Sequence, residues 1–368
     1  MRFRFQRGRP DDLETLHPGY FALVMATGIV SIAVDLHGVP VVPAILFWLN
    51  ALFFILLAAA TCLRIIRYPR AFMADIRSHS RGVGFFTAVA ASGVFGSQLV
   101  LQMDAGGLAT VFWIIAGALW LLVMYMLLAI LIVKVDKPSL EDGLNGAWLV
   151  SVVATQSVSA LTVLVLSSGN FGEFRQLLMF VALALWLGGG ALYLWLMTLI
   201  FLRYTFLRML PEDLTPPYWI NMGAVAISTL AGATLLEHEA LSSIVGGLAP
   251  FIKGLTLFFW AIGIWWIPML FVLDVWRYLI RGVPFAYDPL YWGGVFPLGM
   301  FSVCTYHLAK VLDAPFLMPL SFAFMIIAAV AWGGNLHRVG RQPSQRDKGG
   351  VLRRSRPTQD AHPLSGPI

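Results

Sequence analysis

The 368-residue chain is 59% hydrophobic, only 12% charged and formally +6, with a mean hydropathy of +0.79. A soluble domain carries about 25% charged residues, so this composition excludes a water-soluble globule and makes the bilayer the solvent. Net positive charge can signal nucleic-acid binding, but the placement of the charges argues against it.

Residues 1–17 form a polar N-terminus with Arg2, Arg4, Arg7 and Arg9, expected to be cytoplasmic and disordered. Ten apolar runs follow, at 19–36, 41–63, 83–102, 108–133, 146–167, 177–203, 218–236, 248–275, 290–311 and 315–334. Each is near the ~20 residues that cross a membrane. The first follows His17-Pro18-Gly19 without a clear small-x-small cleavage site, so it is expected to be a retained span. Cys62 and Cys304 both fall inside predicted spans and are expected to be reduced packing residues. Residues 18–335 thus read as one transmembrane domain, and 336–368 as a basic, disordered cytoplasmic tail.

Cations mark one side. They occupy the N-terminus, the loop with Arg64, Arg67, Arg70, Arg77 and Arg81, then Lys134 and Lys137, Arg203 and Arg208, Arg277 and Arg281, and the tail. Arg175, Lys253 and Lys310 fall on the other side. The positive-inside rule places both termini in the cytoplasm and supports an even number of spans; a bacterial inner membrane is the expected location.

The odd-numbered runs share an opening, an aromatic pair leading into small residues: YFALVMATGI from Tyr20, FFTAVAASGV from Phe85, WLVSVVATQS from Trp148, YWINMGAVAI from Tyr218 and YWGGVFPLGM from Tyr291. In the third copy Ala147 stands where the first aromatic would be. Their spacing leaves room for one membrane hairpin per copy, and such a period implies equivalent structural units. The even runs are bulkier, as suits lipid contact, whereas small residues permit close packing or a lumen. We expect an all-α membrane protein of ten transmembrane helices in five hairpins, with odd helices ringing a pore. Tight packing in an ordinary bundle would also use small residues; the shared register favours the ring.

Aligning the openings puts Met25, Ala90, Val153, Gly223 and Phe296 at one level. If that level faces the axis, the Phe296 ring closes it as a hydrophobic gate; on periodicity alone Phe296 packs between helices equally well. Pro297 kinks the helix and frees a carbonyl. Gly28, Gly93 and Gly299 share a position further on, preceded by Thr27, Ser92 and Thr155, which form a hydroxyl collar or back-bond to their own helices. Phe296, Val303, His307 and Lys310 lie within about 40° of one another on a helical wheel. His307 and Lys310 are then expected at the outer mouth, Lys310 as a cation attracting anions or as a snorkelling side chain.

Carboxylates are scarce at depth: Asp35, Asp104, Glu237, Asp274 and Asp313 all sit near span ends. Ion-coupled carriers often place acids deeper, so passive anion permeation is favoured. No phosphate loop, HExxH or Cys/His cluster appears, so no enzyme, cofactor or metal is expected.

HPGYFALVMATGIVSIA, PPYWINMGAVAI and YWGGVFPLGMFSV resemble the tellurite-resistance/dicarboxylate transporter family, part of the slow anion channel superfamily. That family includes bacterial tellurite-resistance channel homologues, fungal malate and sulfite transporters and plant guard-cell anion channels. The resemblance covers about 18–335. It implies five hairpins, a pore within each subunit of a homotrimer, and a gate at Phe296-Pro297. The plant channels' long regulatory tails have no counterpart here. A gated channel or uniporter for small inorganic or organic anions is the preferred expectation. The alternative, a proton-coupled C4-dicarboxylate (malate) or sulfite carrier, would lean on His307.

Overall fold

Ten helices of 15 residues or more account for most of the structure, a computed structural model that describes residues 12–211, 213–283 and 291–341. We number them α1 (Ala22–Leu36), α2 (Val42–Arg67), α3 (Phe86–Met103), α4 (Gly106–Val133), α5 (Val150–Ser168), α6 (Phe174–Phe206), α7 (Ile220–Glu237), α8 (Ala249–Val275), α9 (Trp292–Val311) and α10 (Met318–Arg341). Short helices are named by their residues. The cations expected at 1–11 and beyond 341 lie outside the described residues. The final helix continues to Arg341, into the segment read from sequence as tail.

Nine of the described helical segments are long and apolar enough to cross a membrane. The exception, α9, is 20 residues long. What separates it is polarity: Gly293, Gly294, Pro297, Tyr306, His307 and Lys310 dilute its apolar residues. Its position explains why it tolerates them. It packs against α7, α10 and α1, so little of it needs to satisfy lipid.

The odd helices touch one another in order, and α9 returns to α1, which closes a ring of five. Each even helix packs outside the odd helix that precedes it. Burial follows this plan. In the apolar windows of the first four odd segments 78, 78, 94 and 89% of residues are buried, against 22–39% for the even ones. Ile55, Leu121, Trp195 and Phe271 stand exposed on the outer helices, as a lipid-facing surface requires.

The sequence openings fold alike. Pro18–Phe21, Gly82–Phe85, Gly146–Leu149 and Pro216–Trp219 each form a four-residue 3-10 turn that runs directly into α1, α3, α5 or α7. At the other ends, Asp104 and Asp313 adopt left-handed φ values of 49° and 51° after α3 and α9. These two carboxylates are turn residues, in keeping with their position at span ends.

A second pattern holds the two layers together. Each even helix donates a side-chain N–H to the odd helix of the next hairpin. Asn50 donates to Gln98 Oε1 (2.6 Å), Trp120 to Thr155 Oγ1 (2.8 Å) and Trp186 to the Ser228 carbonyl (2.8 Å). Trp260 donates to Thr305 Oγ1 (3.0 Å), and Trp332 of α10 closes the circle on Thr27 Oγ1 of α1 (3.0 Å). In a medium without water each buried N–H needs such a partner, and these bonds fix the rotation of every outer helix.

Candidate functional site

Two cavities mark the axis of the ring, because each is lined by residues of all five odd segments. The inner one, about 200 Å³, lies at the helix starts and touches Ala22, Thr87, Val150, Ile220 and Gly293. The outer one, about 30 Å³, touches Ile29, Val94, Ser157, Ile227 and Met300.

The separation between the two sets is the same on every helix. Met25, Ala90, Val153, Gly223 and Phe296 follow the inner set by three residues and precede the outer set by four. A helix repeats one face at such three- and four-residue steps, so the five residues aligned from sequence occupy the axial level between the cavities. That level is tightly packed: Phe296 is 1% exposed, Met25 is 3%, and Ala90 and Val153 are fully buried. Phe296 is the bulkiest side chain of the five.

Gly223 and Pro297 explain how α7 and α9 approach so closely here. A Cβ on Gly223 would stand 2.7 Å from Pro297 Cγ. Pro297 also lacks the N–H that would bond the Gly293 carbonyl. The other aligned glycines serve contact between neighbouring helices. A Cβ on Gly93 would meet Ser157 Cβ at 2.6 Å, one on Gly299 would meet Ile29 Cγ2 at 2.9 Å, and one on Gly28 would meet Val94 and Asn50. Gly93 also borders the outer cavity.

Of the two readings of the hydroxyls, the structure favours bonding to their own and neighbouring helices over a collar. Thr27 accepts from Trp332 and Thr155 from Trp120, both on outer helices. Ser92 donates back to the Ala88 carbonyl (2.8 Å) and Thr155 to that of Ser151 (2.8 Å). These hydroxyls satisfy indoles and their own helices, and none lines either cavity.

At the outer end of α9 the structure adds partners to His307 and Lys310. His307 Nδ1 lies 2.8 Å from Glu237 Oε1 at the end of α7, so its charge, when present, is matched by a carboxylate. Lys310 is exposed, with Nζ 4.6 Å from the centre of the Tyr306 ring. Val303 is buried and borders neither cavity.

The inner cavity holds the polar residues that alignment on the aromatic pair leaves unmarked. The residue immediately before each 3-10 turn is His17, Arg81, Asn145 or Thr215, and all four line the cavity. His17 Nδ1 accepts from Gly19 N and Asn145 Oδ1 from Ala147 N, both at 2.9 Å, which caps their turns. By sequence the fifth such position is Asp288, which lies outside the described residues.

Arg81 is fixed from behind. Asp75, on the short helix Pro69–Ile76, accepts Arg81 Nε at 2.5 Å and Arg64 Nη2 at 2.7 Å. Arg64 is 3% exposed and also donates to the Glu14 carbonyl at 3.0 Å. One carboxylate thus serves two guanidinium groups. Nearby, burial together with Lys134 and Lys137 lowers the His79 imidazole below its usual value of 6.5, so the positive charge of this end comes from its arginines and lysines and not from His79. Among the described residues, no group of three or more His, Cys, Asp or Glu side chains is placed to hold a metal ion.

Comparison with known proteins gives the family. The family model for voltage-dependent anion channels matches residues 15–339. An uncharacterised membrane protein of Mycobacterium tuberculosis is 35% identical over 143 residues, 38% of this chain and 71% of that one. An uncharacterised transporter of Methanocaldococcus jannaschii is 22% identical over 326 residues, covering 87% of this chain and 90% of its own length. A sulfite efflux pump of Trichophyton rubrum is 24% identical over 341 residues, with 87% and 88% covered.

Proposed function

We infer the route of transport from one premise: this chain belongs to the voltage-dependent anion channel family. It is a multi-pass membrane protein that transports anions. The route is the axis of the five-helix ring, entered through the inner cavity and shut at the level of Phe296. The observation that carries this reading is the placement of Phe296 between two cavities that all five inner helices line.

The physics of the inner mouth suits an anion. The N-terminal ends of the inner helices converge there, each with partial positive charge from its aligned peptide dipoles. Arg81 adds a full charge. At the Phe296 level an apolar constriction excludes water and ions until the ring moves or is removed. We place the inner cavity in the cytoplasm, because the described loop cations Arg64, Arg67, Arg77, Arg81, Lys134 and Arg203 lie at the ends of helices on that side. In this arrangement all ten helices span a plasma membrane as five repeated hairpins, and three chains associate with one pore each.

Purified protein in planar bilayers tests the route. Phe296→Ala is expected to raise anion-selective current at least about tenfold, the factor that removal of a ~1.4 kcal/mol barrier gives. Equal, negligible currents from wild type and variant would refute it. The sulfite efflux pumps among the relatives favour sulfite as a cargo. If this chain exports it, liposomes should show sulfite flux that Phe296→Ala accelerates. Flux that stops in His307→Ala and follows a proton gradient would instead support the coupled carrier.

A further inference from the structure

We propose that the inner cavity is an anion-binding antechamber, in which Arg81 and Asn145 hold one small inorganic anion before it meets the Phe296 level. The proposal rests on the axial route argued above and adds to it a site of recognition separate from the gate.

Charge is the first argument. Asp75 neutralises one of its two guanidinium partners, so the Arg64–Asp75–Arg81 group keeps a net positive charge. Arg64 is buried, whereas the Arg81 side chain is 35% exposed and borders the cavity. The surplus charge therefore lies at the wall of the inner cavity. Among the described residues lining the cavity there is no carboxylate to cancel it.

Hydrogen bonding is the second. Asn145 Oδ1 is engaged by Ala147 N, so the part of this side chain left for a ligand is its amide N–H₂, a donor. Ser80 and Thr215 add hydroxyls to the same wall. A guanidinium with neutral donors around it stabilises an anion through charge-assisted hydrogen bonds.

Size and rigidity are the third. A cavity of about 200 Å³ exceeds the ~30 Å³ that a water molecule occupies in the liquid, so a chloride, nitrate or sulfite ion fits with part of its hydration shell. Arg81 is held by the bidentate carboxylate of Asp75 and reaches the Leu16 carbonyl at 3.5 Å. Its geometry is set before an anion arrives, which lowers the cost of ordering it.

The test uses the full-length protein in planar bilayers, in the Phe296→Ala background, with chloride titrated on the side of the inner cavity. Arg81→Gln should raise the half-saturating chloride concentration about tenfold, the weight of one charge-assisted bond. Asn145→Asp is the second variant. Its carboxylate still accepts Ala147 N and keeps the cap, but it places a negative charge in the chamber. It should raise the half-saturating concentration at least as far and lower chloride-over-potassium selectivity. A conducting background whose saturation is unchanged by Asn145→Asp overturns the antechamber and leaves the axial route standing. A Phe296→Ala background that carries no anion current overturns the route itself.

Discussion

The two ends of the axis are built from the same five helices and differ in almost everything else. The inner cavity is about 200 Å³, and within a largely apolar lining it carries the polar side chains of Arg81, Asn145, His17 and Thr215. The outer one is about 30 Å³, walled by Ile29, Ile32, Val94, Ile227, Leu230 and Met300. Even its two hydroxyls are engaged, Ser97 with the Gly93 carbonyl (2.9 Å) and Ser157 with that of Val153 (2.8 Å). An apolar space little larger than a water molecule stays dry. The contrast follows from the backbone. Helix starts carry unpaired N–H groups that demand polar caps, while the middle of a helix satisfies itself and presents only side chains. On the proposed route, recognition is therefore assigned to the inner end, and the barrier to Phe296 and the apolar layer beyond it.

That contrast can be broken most forcefully at its base. Asp75→Asn leaves Arg64 and Arg81 without their carboxylate, and Arg64 is buried. Removing one partner of a buried ion pair costs about 3 kcal/mol, so thermal unfolding in detergent should shift down by several degrees. An unshifted transition would mean that the triad does not organise the inner mouth. At the boundary, Gly223→Ala pushes a methyl against Pro297 and should cost about 2 kcal/mol by overpacking. Combining it with Pro297→Ala should cost less than the sum of the two single changes, because the clash is shared; strict additivity would place the contact elsewhere.

Smaller effects sharpen the account of the outer half. Trp120→Phe keeps the ring and deletes the donor to Thr155. Its expected cost is about 1 kcal/mol, with no change in anion selectivity, because Thr155 is turned to the outer layer; altered selectivity would restore it to the pore. The smallest effect concerns pH. His37, just beyond α1, bonds Ser321 at 3.0 Å and meets Tyr306 and Phe322 edge-on. Partial burial holds its imidazole below the usual 6.5. The unfolded chain then takes up the proton first, so this contribution to stability is complete above pH 6.5. It falls as pH drops from there through the lowered folded value. Unfolding measured over about pH 5 to 8 should show this slope, and His37→Gln should flatten it. A slope that survives the substitution belongs to another group.

Much of the inner ring was legible in the sequence because its signal is local. Aromatic pairs followed by small residues define where each inner helix begins, and helical spacing carries that start to Phe296. The outward role of Thr27 was not legible, because its partner Trp332 lies 305 residues away in the chain. The same holds for the Glu237 carboxylate that meets His307 across 70 residues. Arg81 and Asn145 were hidden for a different reason. They sit in equivalent positions, but as His17, Arg81, Asn145 and Thr215 the copies share no side-chain chemistry. Only the recurring 3-10 turn reveals their common place. The polarity of α9 likewise makes sense only once α1, α7 and α10 are seen to shield it.

The central claim is that one axial level, closed by Phe296, separates the two cavities. Accessibility of introduced cysteines tests it directly, in a background with Cys62→Ser and Cys304→Ala. Ala22→Cys reports the inner cavity and Ile227→Cys the outer one. A small anionic methanethiosulfonate reagent is added from the side of the inner cavity. The account predicts that Ala22→Cys is modified whether residue 296 is Phe or Ala, and that Ile227→Cys is modified only when it is Ala. Modification of Ile227→Cys at the same rate with Phe296 in place would contradict it.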